Sequence, residues 1–112
     1  VLGPSGRMWI FGGLDGGAFQ NDLWYYDTEA SATDFVQSSP SGTAPSPVIR
    51  HTAVLSTVGN MWVFGGETNG GTLVNSLHKI DVEVQPESPQ WTQVYPTGYI
   101  EPRRDHTAVI TL

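Results

Sequence analysis

Three histidines are the side chains of this sequence best suited to metal or acid–base chemistry. His51 and His106 are both followed by Thr-Ala-Val and lie 55 positions apart, whereas His78 stands alone. No two histidines have the close spacing that places two imidazoles on one metal ion, and the chain has no cysteine. A residue that recurs with a repeat usually belongs to the architecture of the repeat. We therefore expect His51 and His106 to hydrogen-bond a neighbouring turn and His78 to be exposed, and the sequence predicts no metal and no cofactor.

The carboxylates and the glycine pairs also lack the spacing of a catalytic site. The acidic residues do not form a calcium loop, and Asp27 and Asp81 recur at strand ends, where turn-capping residues are common. Gly12-Gly13 and Gly65-Gly66 each follow an apolar run but match no phosphate-binding fingerprint. We expect the pairs to provide close backbone approach and positive φ at the end of a strand. No catalytic residue is predicted, so the chain is not expected to be an enzyme.

Composition excludes two further classes of partner. The formal charge is −6, with five basic residues in 112, so no basic stripe is available to neutralise nucleic-acid phosphates. No apolar run approaches the roughly 18–20 residues that cross a bilayer, which argues against membrane insertion. The absence of cysteine does not decide the compartment.

The chain contains two copies of one repeat. Residues 8–13, Met-Trp-Ile-Phe-Gly-Gly, recur as residues 61–66, Met-Trp-Val-Phe-Gly-Gly. Further landmarks recur in the same order at offsets of 54 and 55: residues 21–23 as 75–77, 26–27 as 80–81, and 51–54 as 106–109. A period near 50 residues is typical of arrays of supersecondary units.

Each unit reads as four short strands. In the second copy they are predicted at residues 51–56, 60–64, 76–82 and 91–95, and in the first copy the third and fourth strands are predicted at 23–27 and 34–37. Asp15-Gly16 and Asn69-Gly70 lie between the second and third strands, where a chain reversal needs positive φ. Prolines cluster after the fourth strand, and they indicate connections because proline cannot donate to a ladder.

The apolar runs into Gly12-Gly13 and Gly65-Gly66, then Tyr26-Asp27, Trp91 and the Pro-Arg-x-x-His element at 102–106, resemble the kelch repeat over essentially the whole chain. The resemblance implies an all-β fold of kelch-type β-propeller blades, each a four-stranded antiparallel sheet packed face to face with its neighbours. Two landmarks depart from the family pattern, because Phe35 replaces the late tryptophan in the first copy and Ile80 the tyrosine in the second.

The repeat divides the chain into three parts. Residues 1–49 form a first blade whose inner strand is truncated, residues 50–103 a second blade, and residues 104–112 the inner strand of the next blade. We expect a partial propeller from a longer array, because a blade buries its faces only against neighbours and about three repeats are needed for stability. The alternative is that copies of the chain complete a ring; the overlap of Val109 with Val1 at equivalent strand positions disfavours it.

Candidate binding residues lie in the loops that the resemblance places on the ligand face. They are Asp15, Phe19, Gln20, Arg50, Thr68, Asn69, Thr72, Arg103 and Arg104. The arginines are suited to bidentate capture of carboxylates, and the alternative is that they form surface ion pairs of little energetic value. The residues assigned to the architecture of the repeat are Gly12, Gly13, Gly65, Gly66, His51, His106 and Trp91.

Three functions remain open from the sequence. The first is a binding scaffold that presents loops to a protein partner, to further blades of the same array, or to a glycan. The second is part of an oxidase, since the resemblance extends to kelch-propeller copper enzymes; these need a cysteine–tyrosine cross-link and histidine ligands that would lie outside this stretch. The third is an architectural component of a larger assembly.

Overall fold

The computed structural model describes residues 1–29, 31 and 33–111, and its regular elements are all β-strands. The ten strands are β1 (Arg7–Asp15), β2 (Ala18–Asp27), β3 (Val36–Ser38), β4 (Ser41–Gly42), β5 (Val48–Ile49), β6 (Thr52–Leu55), β7 (Asn60–Phe64), β8 (Glu67–Thr68), β9 (Leu77–Asp81) and β10 (Gln90–Val94). No helix long and apolar enough to cross a membrane occurs in this described part.

The second repeat forms a complete four-stranded sheet, which we call blade 2. Its strands lie in the order β6-β7-β9-β10, and each pairs antiparallel with its neighbour. Strand β4, from the connection before blade 2, is a fifth strand of this sheet and pairs parallel with the outer strand β10. Ser41 pairs with Gln90 and Gly42 with Trp91. A short segment of the first repeat is thereby fastened to the edge of the second.

The first repeat forms blade 1, in which β1, β2 and β3 pair antiparallel. The place of the inner strand is taken by Val1 and Leu2, since Leu2 bridges Met8 and the amide of Trp9 donates to the Val1 carbonyl. The β1–β2 hairpin continues to its tip at Gly16-Gly17, whose φ values of 56° and 90° suit a tight two-residue turn.

The core lies between the two blades. Alternation along each strand sends one set of side chains from each blade into it. The buried set from blade 1 is Trp9, Phe11, Leu23 and Tyr25, and that from blade 2 is Met61, Val63, Ile80, Val82 and Trp91. The rings of Phe11 and Trp91 meet edge to face, with centroids 5.3 Å apart. Each buried side chain of this size contributes roughly 1.5–3 kcal/mol to folding.

The structure confirms the all-β blades and refines their boundaries. Strand β7 has the predicted bounds, while β2 begins at Ala18 because the glycine turn lets the hairpin pair to its tip. The predicted connections contain β4 and β5, which the sequence reading missed. His78 was expected to be exposed; this is wrong, since its side chain is buried against Trp91 with ring centroids 6.4 Å apart.

The division into residues 1–49, 50–103 and 104–112 stays a prediction. Residues 104–111 form no strand in the described chain, and Val109 is 83% exposed. An inner strand needs a second strand to pair with, and blade 2 already has its own in β6.

Candidate functional site

Two equivalent turns build the candidate site, one in each Pro-x-x-x-His element. The residue before each histidine, Arg50 in the first and Asp105 in the second, has φ of 58°. This left-handed conformation costs a residue other than glycine roughly 1–3 kcal/mol and persists only where surrounding contacts fix it. Here the amide of Asp105 donates to the Arg50 carbonyl over 3.0 Å, so the two turns hold each other.

Four charged side chains meet at these turns, and we call them the arginine cluster: Arg50, Glu67, Arg104 and Asp105. The Glu67 carboxylate lies 3.5 Å from Arg50 and 3.6 Å from Arg104, and Asp105 lies 3.9 Å from Arg50 and 3.7 Å from Arg104. The arginine side chains remain 47% and 39% exposed. Exposed ion pairs of this length contribute little to folding, so the guanidinium groups are able to exchange partners.

Strand pairing places Glu67 at the centre of the cluster. Strand β8 pairs with β5, opposite Ile49, directly before the Arg50 turn. The amide of Gly66 donates to the Arg103 carbonyl over 2.8 Å, which ties the second turn to the same strand. Gly66 is required there, because a Cβ would lie 2.8 Å from the Ile49 carbonyl oxygen and φ is 106°.

Arg103 stands beside the cluster without joining it. Its backbone amide donates to the Val74 carbonyl, and its Nε donates to the Glu101 carbonyl over 3.2 Å. No carboxylate within the described residues lies within salt-bridge distance of its guanidinium. The side chain is exposed and keeps unused donors.

The other predicted binding residues fall into two groups. Thr68 and Asn69 belong to the short loop after Glu67, where the amide and the hydroxyl of Thr68 both donate to the Thr72 carbonyl and Asn69 is exposed at the tip. Asp15, Phe19 and Gln20 belong to the blade 1 hairpin. No ion pair or hydrogen bond among the described residues joins that hairpin to the arginine cluster, so the structure brings the arginines and the Thr68 loop together but leaves the hairpin apart.

The two periodic histidines, His51 and His106, directly follow Arg50 and Asp105 of the arginine cluster. His51 lies edge-on to Phe11, and its Nε2 donates to the Phe11 carbonyl over 3.2 Å. His106 lies in the same way against Phe64, with centroids 5.3 Å apart and its Nε2 3.0 Å from Thr52 Oγ1. Burial lowers the pKa of His51 below its usual value, and the neighbouring His106 adds to the effect.

Gly12, Gly65, Gly66 and Trp91 lie where close packing requires them, whereas Gly13 is needed only for its positive φ. Gly12 and Gly65 have φ of 62° and 69°, and a Cβ on either would lie 2.9 Å from a backbone oxygen, that of Gln20 or of Arg103. Gly13 has φ of 114° in open space. Trp91 is 1% exposed at the centre of the interface between the blades. No group of three or more metal-ligating side chains is found across residues 1–29, 31 and 33–111.

Sequence reasoning missed the carboxylates and two asparagines of this region. Glu67 and Asp105 have no acidic counterpart in the first repeat, so periodicity did not single them out. Asn21 and Asn75 do recur, and each donates its amide to a connection, Asn21 to the Pro45 carbonyl at 3.1 Å and Asn75 to that of Ile100 at 2.7 Å. Their recurrence was the signal for this role.

Four-stranded antiparallel blades that pack face to face, joined by loops at one end, define a β-propeller repeat protein. The chain belongs to the kelch-repeat family, since it matches the KLHDC2/KLHL20/DRC7 Kelch-repeats domain over residues 3–112. Kelch-repeat domains generally serve in protein interaction.

Among curated proteins, the chain is similar to a Rho GTPase-activating protein, gacHH, of Dictyostelium discoideum. The two are 27% identical over 110 residues, covering 94% of this chain and 7% of that protein. The chain therefore spans only a small part of the length of the relative it matches.

Proposed function

We propose that this chain is a non-catalytic protein-interaction module that binds an acidic segment of a partner protein through the arginine cluster and Arg103. The observation that carries the proposal is the convergence of Arg50 and Arg104 on Glu67, 3.5 and 3.6 Å away, at the loop end of the blades. Successive repeats thus contribute one arginine each to a single surface.

The energetics of the cluster support exchange with an external carboxylate. Planar guanidinium groups bind carboxylates through two parallel hydrogen bonds, and such pairs are stronger than the loose contacts made within the cluster. Arg103 can bind a partner's carboxylate without breaking an internal ion pair, because its guanidinium contacts no carboxylate of the described chain. Two arginines and two carboxylates balance within the arginine cluster, so Arg103 gives these five side chains a net positive charge on a protein whose overall charge is −6, which favours one orientation of an acidic partner.

The match to a short stretch of a Rho GTPase-activating protein supports the same role. The matching stretch is 7% of that protein, as expected of one binding unit within a larger chain.

The test is partner capture with charge-reversed variants. Proteins bound by the wild-type chain are compared with those bound by the double variant Arg103→Glu, Arg104→Glu, with affinities measured at two salt concentrations. We expect binding to fall at least tenfold and its salt dependence to weaken, since two guanidinium contacts are lost. Val58→Glu is the matched control, because Val58 is 73% exposed in the β6–β7 turn at the opposite end of blade 2. Equal binding by the double variant and the control contradicts the proposal.

A further inference from the structure

The four asparagines of the chain differ in what holds them. Asn21 and Asn75 each donate their side-chain amide to a carbonyl of a connection. Asn60 is the first residue of β7, and its backbone pairs with Asp81 of β9. Asn69 is exposed at the tip of a loop, and its side chain makes no hydrogen bond among the described residues. Its amide group is therefore open to reaction with a neighbouring group.

Glycine follows Asn69 and no other asparagine. The residues after the other three are Asp22, Met61 and Ser76. Gly70 has φ of 114°, a Cβ there would meet nothing within 4 Å, and its backbone amide donates to no acceptor in the described chain. Because glycine has no Cβ, the amide nitrogen of Gly70 is free to rotate towards the preceding side chain, a movement that a larger residue hinders.

The loop that carries Asn69 is short and contacts the arginine cluster. The amide of Gly71 donates to the Thr68 carbonyl over 3.0 Å, which closes a turn around Asn69 and Gly70. A Cβ on Gly71 would lie 3.8 Å from Oε1 of Glu67. The Cα atoms of Glu67 and Asn69 lie at most about 7 Å apart, since two residues of extended chain span no more. This is close to the screening length of about 8 Å in physiological salt, so a charge at position 69 acts on the cluster.

The exposure of this tip agrees with that of the equivalent tip in blade 1. Asp15-Gly16-Gly17, at the end of the β1–β2 hairpin, corresponds to Asn69-Gly70-Gly71 at an offset of 54. All three residues of the blade 1 tip are exposed although blade 2 packs against that blade. Packing of one blade on the next therefore leaves such a tip open to water.

We propose that Asn69 is a site of self-modification, at which the side-chain amide is lost and a carboxylate forms. First the Gly70 backbone nitrogen attacks Cγ of Asn69: a C–N bond forms, the bond from Cγ to the side-chain nitrogen breaks, and that nitrogen leaves as ammonia with the Gly70 amide proton. Water then opens the succinimide ring. Addition of water at Cγ gives aspartate, and addition at the main-chain carbonyl gives isoaspartate. The reaction consumes one water, releases one ammonia and involves no oxidation.

The consequence for partner binding rests on the function proposed above. The arginine cluster and Arg103 together comprise three arginines and two carboxylates, a single net positive charge. A carboxylate at position 69 cancels that charge, because it is ionised at neutral pH. Electrostatic preference for an acidic segment is then lost. Since ammonia escapes into solution, the change runs one way, and the affinity of the chain for an acidic partner decreases as the molecule ages.

Mass spectrometry of the aged chain tests the modification. Cleavage after arginine and lysine releases residues 51–79 as one peptide, which contains Asn60, Asn69 and Asn75. After incubation in mildly alkaline buffer, we expect residue 69 to convert roughly tenfold faster than the other two, because only its ring closure is unhindered. Isoaspartate should be among the products. Equal rates at the three positions, or aspartate without isoaspartate, overturn the proposal.

Gly70→Ala and Gly71→Ala form a matched pair for the same measurement. Each places a Cβ in the same loop at positive φ, 114° and 85°, with no close contact, so the two carry similar backbone strain. Only Gly70→Ala hinders ring closure. We expect Asn69 to persist in Gly70→Ala and to convert at the wild-type rate in Gly71→Ala. Equal rates in the two variants would show that the Gly70 nitrogen is not the attacking group.

Binding of a polyglutamate peptide tests the consequence. Fresh wild-type chain is compared at low and high salt with wild-type chain aged until residue 69 has converted, and with Asn69→Asp. We expect the aged chain and Asn69→Asp to bind about two- to threefold more weakly at low salt, the effect of one unit charge about 8 Å from another in water. The difference should vanish at high salt. Gly70→Ala should keep its initial affinity through the same ageing.

The double variant Arg103→Glu, Arg104→Glu separates failure of this inference from failure of the proposed function. If the double variant binds the peptide weakly while the aged chain and Asn69→Asp bind as the fresh chain does, the effect of Asn69 on binding is wrong and the proposed function stands. If the double variant binds as well as the fresh wild type, the proposed function fails and the effect on binding fails with it. The chemical conversion of Asn69 is decided by the mass spectra in either case.

Discussion

His51 stands edge-on to Phe11 of the preceding blade, with ring centroids 5.4 Å apart and the planes inclined at 80°. Its Nε2 must carry the proton, because the carbonyl oxygen of Phe11 only accepts hydrogen bonds. The other ring nitrogen, Nδ1, is buried with no hydrogen-bond partner among the described residues. The fold therefore holds this imidazole in one neutral tautomer, and a second proton would introduce a buried charge without a partner.

Acid should destabilise the chain before its carboxylates titrate. Burial lowers the pKa of His51 and of His78 in the folded chain, whereas in the unfolded chain both titrate near 6.5. Below about pH 6.5 the unfolded chain binds protons that the folded chain does not, so the free energy of unfolding falls as the pH drops towards the lowered pKa values. We expect the melting temperature to decrease as the pH falls from about 7 to 5.5.

His51→Gln provides the control for this pH dependence. Glutamine is able to donate to the Phe11 carbonyl but does not titrate, so the variant should show a shallower decrease between pH 6.5 and 5.5. An unchanged pH profile would mean that His51 makes no contribution to acid destabilisation.

The two glycine pairs offer a matched comparison of strain and crowding. Gly13 and Gly66 are repeat equivalents with similar φ, 114° and 106°, but only Gly66 is crowded, by Ile49 and His51. Alanine at either position incurs the strain of positive φ, and at Gly66 it also collides with backbone. We expect Gly66→Ala to destabilise the fold by about 1–3 kcal/mol more than Gly13→Ala, measured by urea unfolding. Equal losses would show that backbone strain alone explains the diglycine motif.

The blades could be predicted from the sequence because their signals are local and repeated. The bounds of β7 follow from an apolar run that ends in a glycine pair, and the burial of His78 and Ile80 on one side of β9 follows from strand alternation. The predicted exposure of His78 was wrong because it rested on the polarity of histidine. Strand alternation places His78 on the same side as Ile80, and that position is buried.

The site was only partly predictable, since its geometry comes from contacts between repeats. Arg50 and Arg104 are found in the loops, but their meeting at Glu67 depends on β5 pairing with β8, and neither two-residue strand has a periodic pattern of its own. Strand β4 could not be predicted either, because nothing in the proline-rich sequence of its connection indicates that Gly42 pairs in parallel with Trp91.

Asn21 should stabilise the chain by fixing a connection rather than by packing. Its amide donates to the carbonyl of Pro45, a buried residue of the segment that leads to β5. We expect Asn21→Ala to lower the free energy of unfolding by about 1 kcal/mol, since one hydrogen bond is lost. Asn69→Ala is the matched control, because Asn69 is exposed at a loop tip; its effect should stay within about 0.5 kcal/mol. If the two variants are equally stable, the connection is held by its backbone contacts alone.

Ser38 should contribute a buried hydrogen bond to the interface between the blades. It is 3% exposed, and its hydroxyl donates to the carbonyl of Pro86 on blade 2 over 2.8 Å. Ser38→Ala leaves that carbonyl without the bond, so we expect a loss of about 1–3 kcal/mol in urea unfolding. Ser39→Ala is the control, because Ser39 is exposed and donates to Glu87 through its backbone, which the substitution keeps. A loss no larger at Ser38 than at Ser39 would show that the apolar contacts of Phe11 and Trp91, rather than this hydrogen bond, hold the edges of the two blades together.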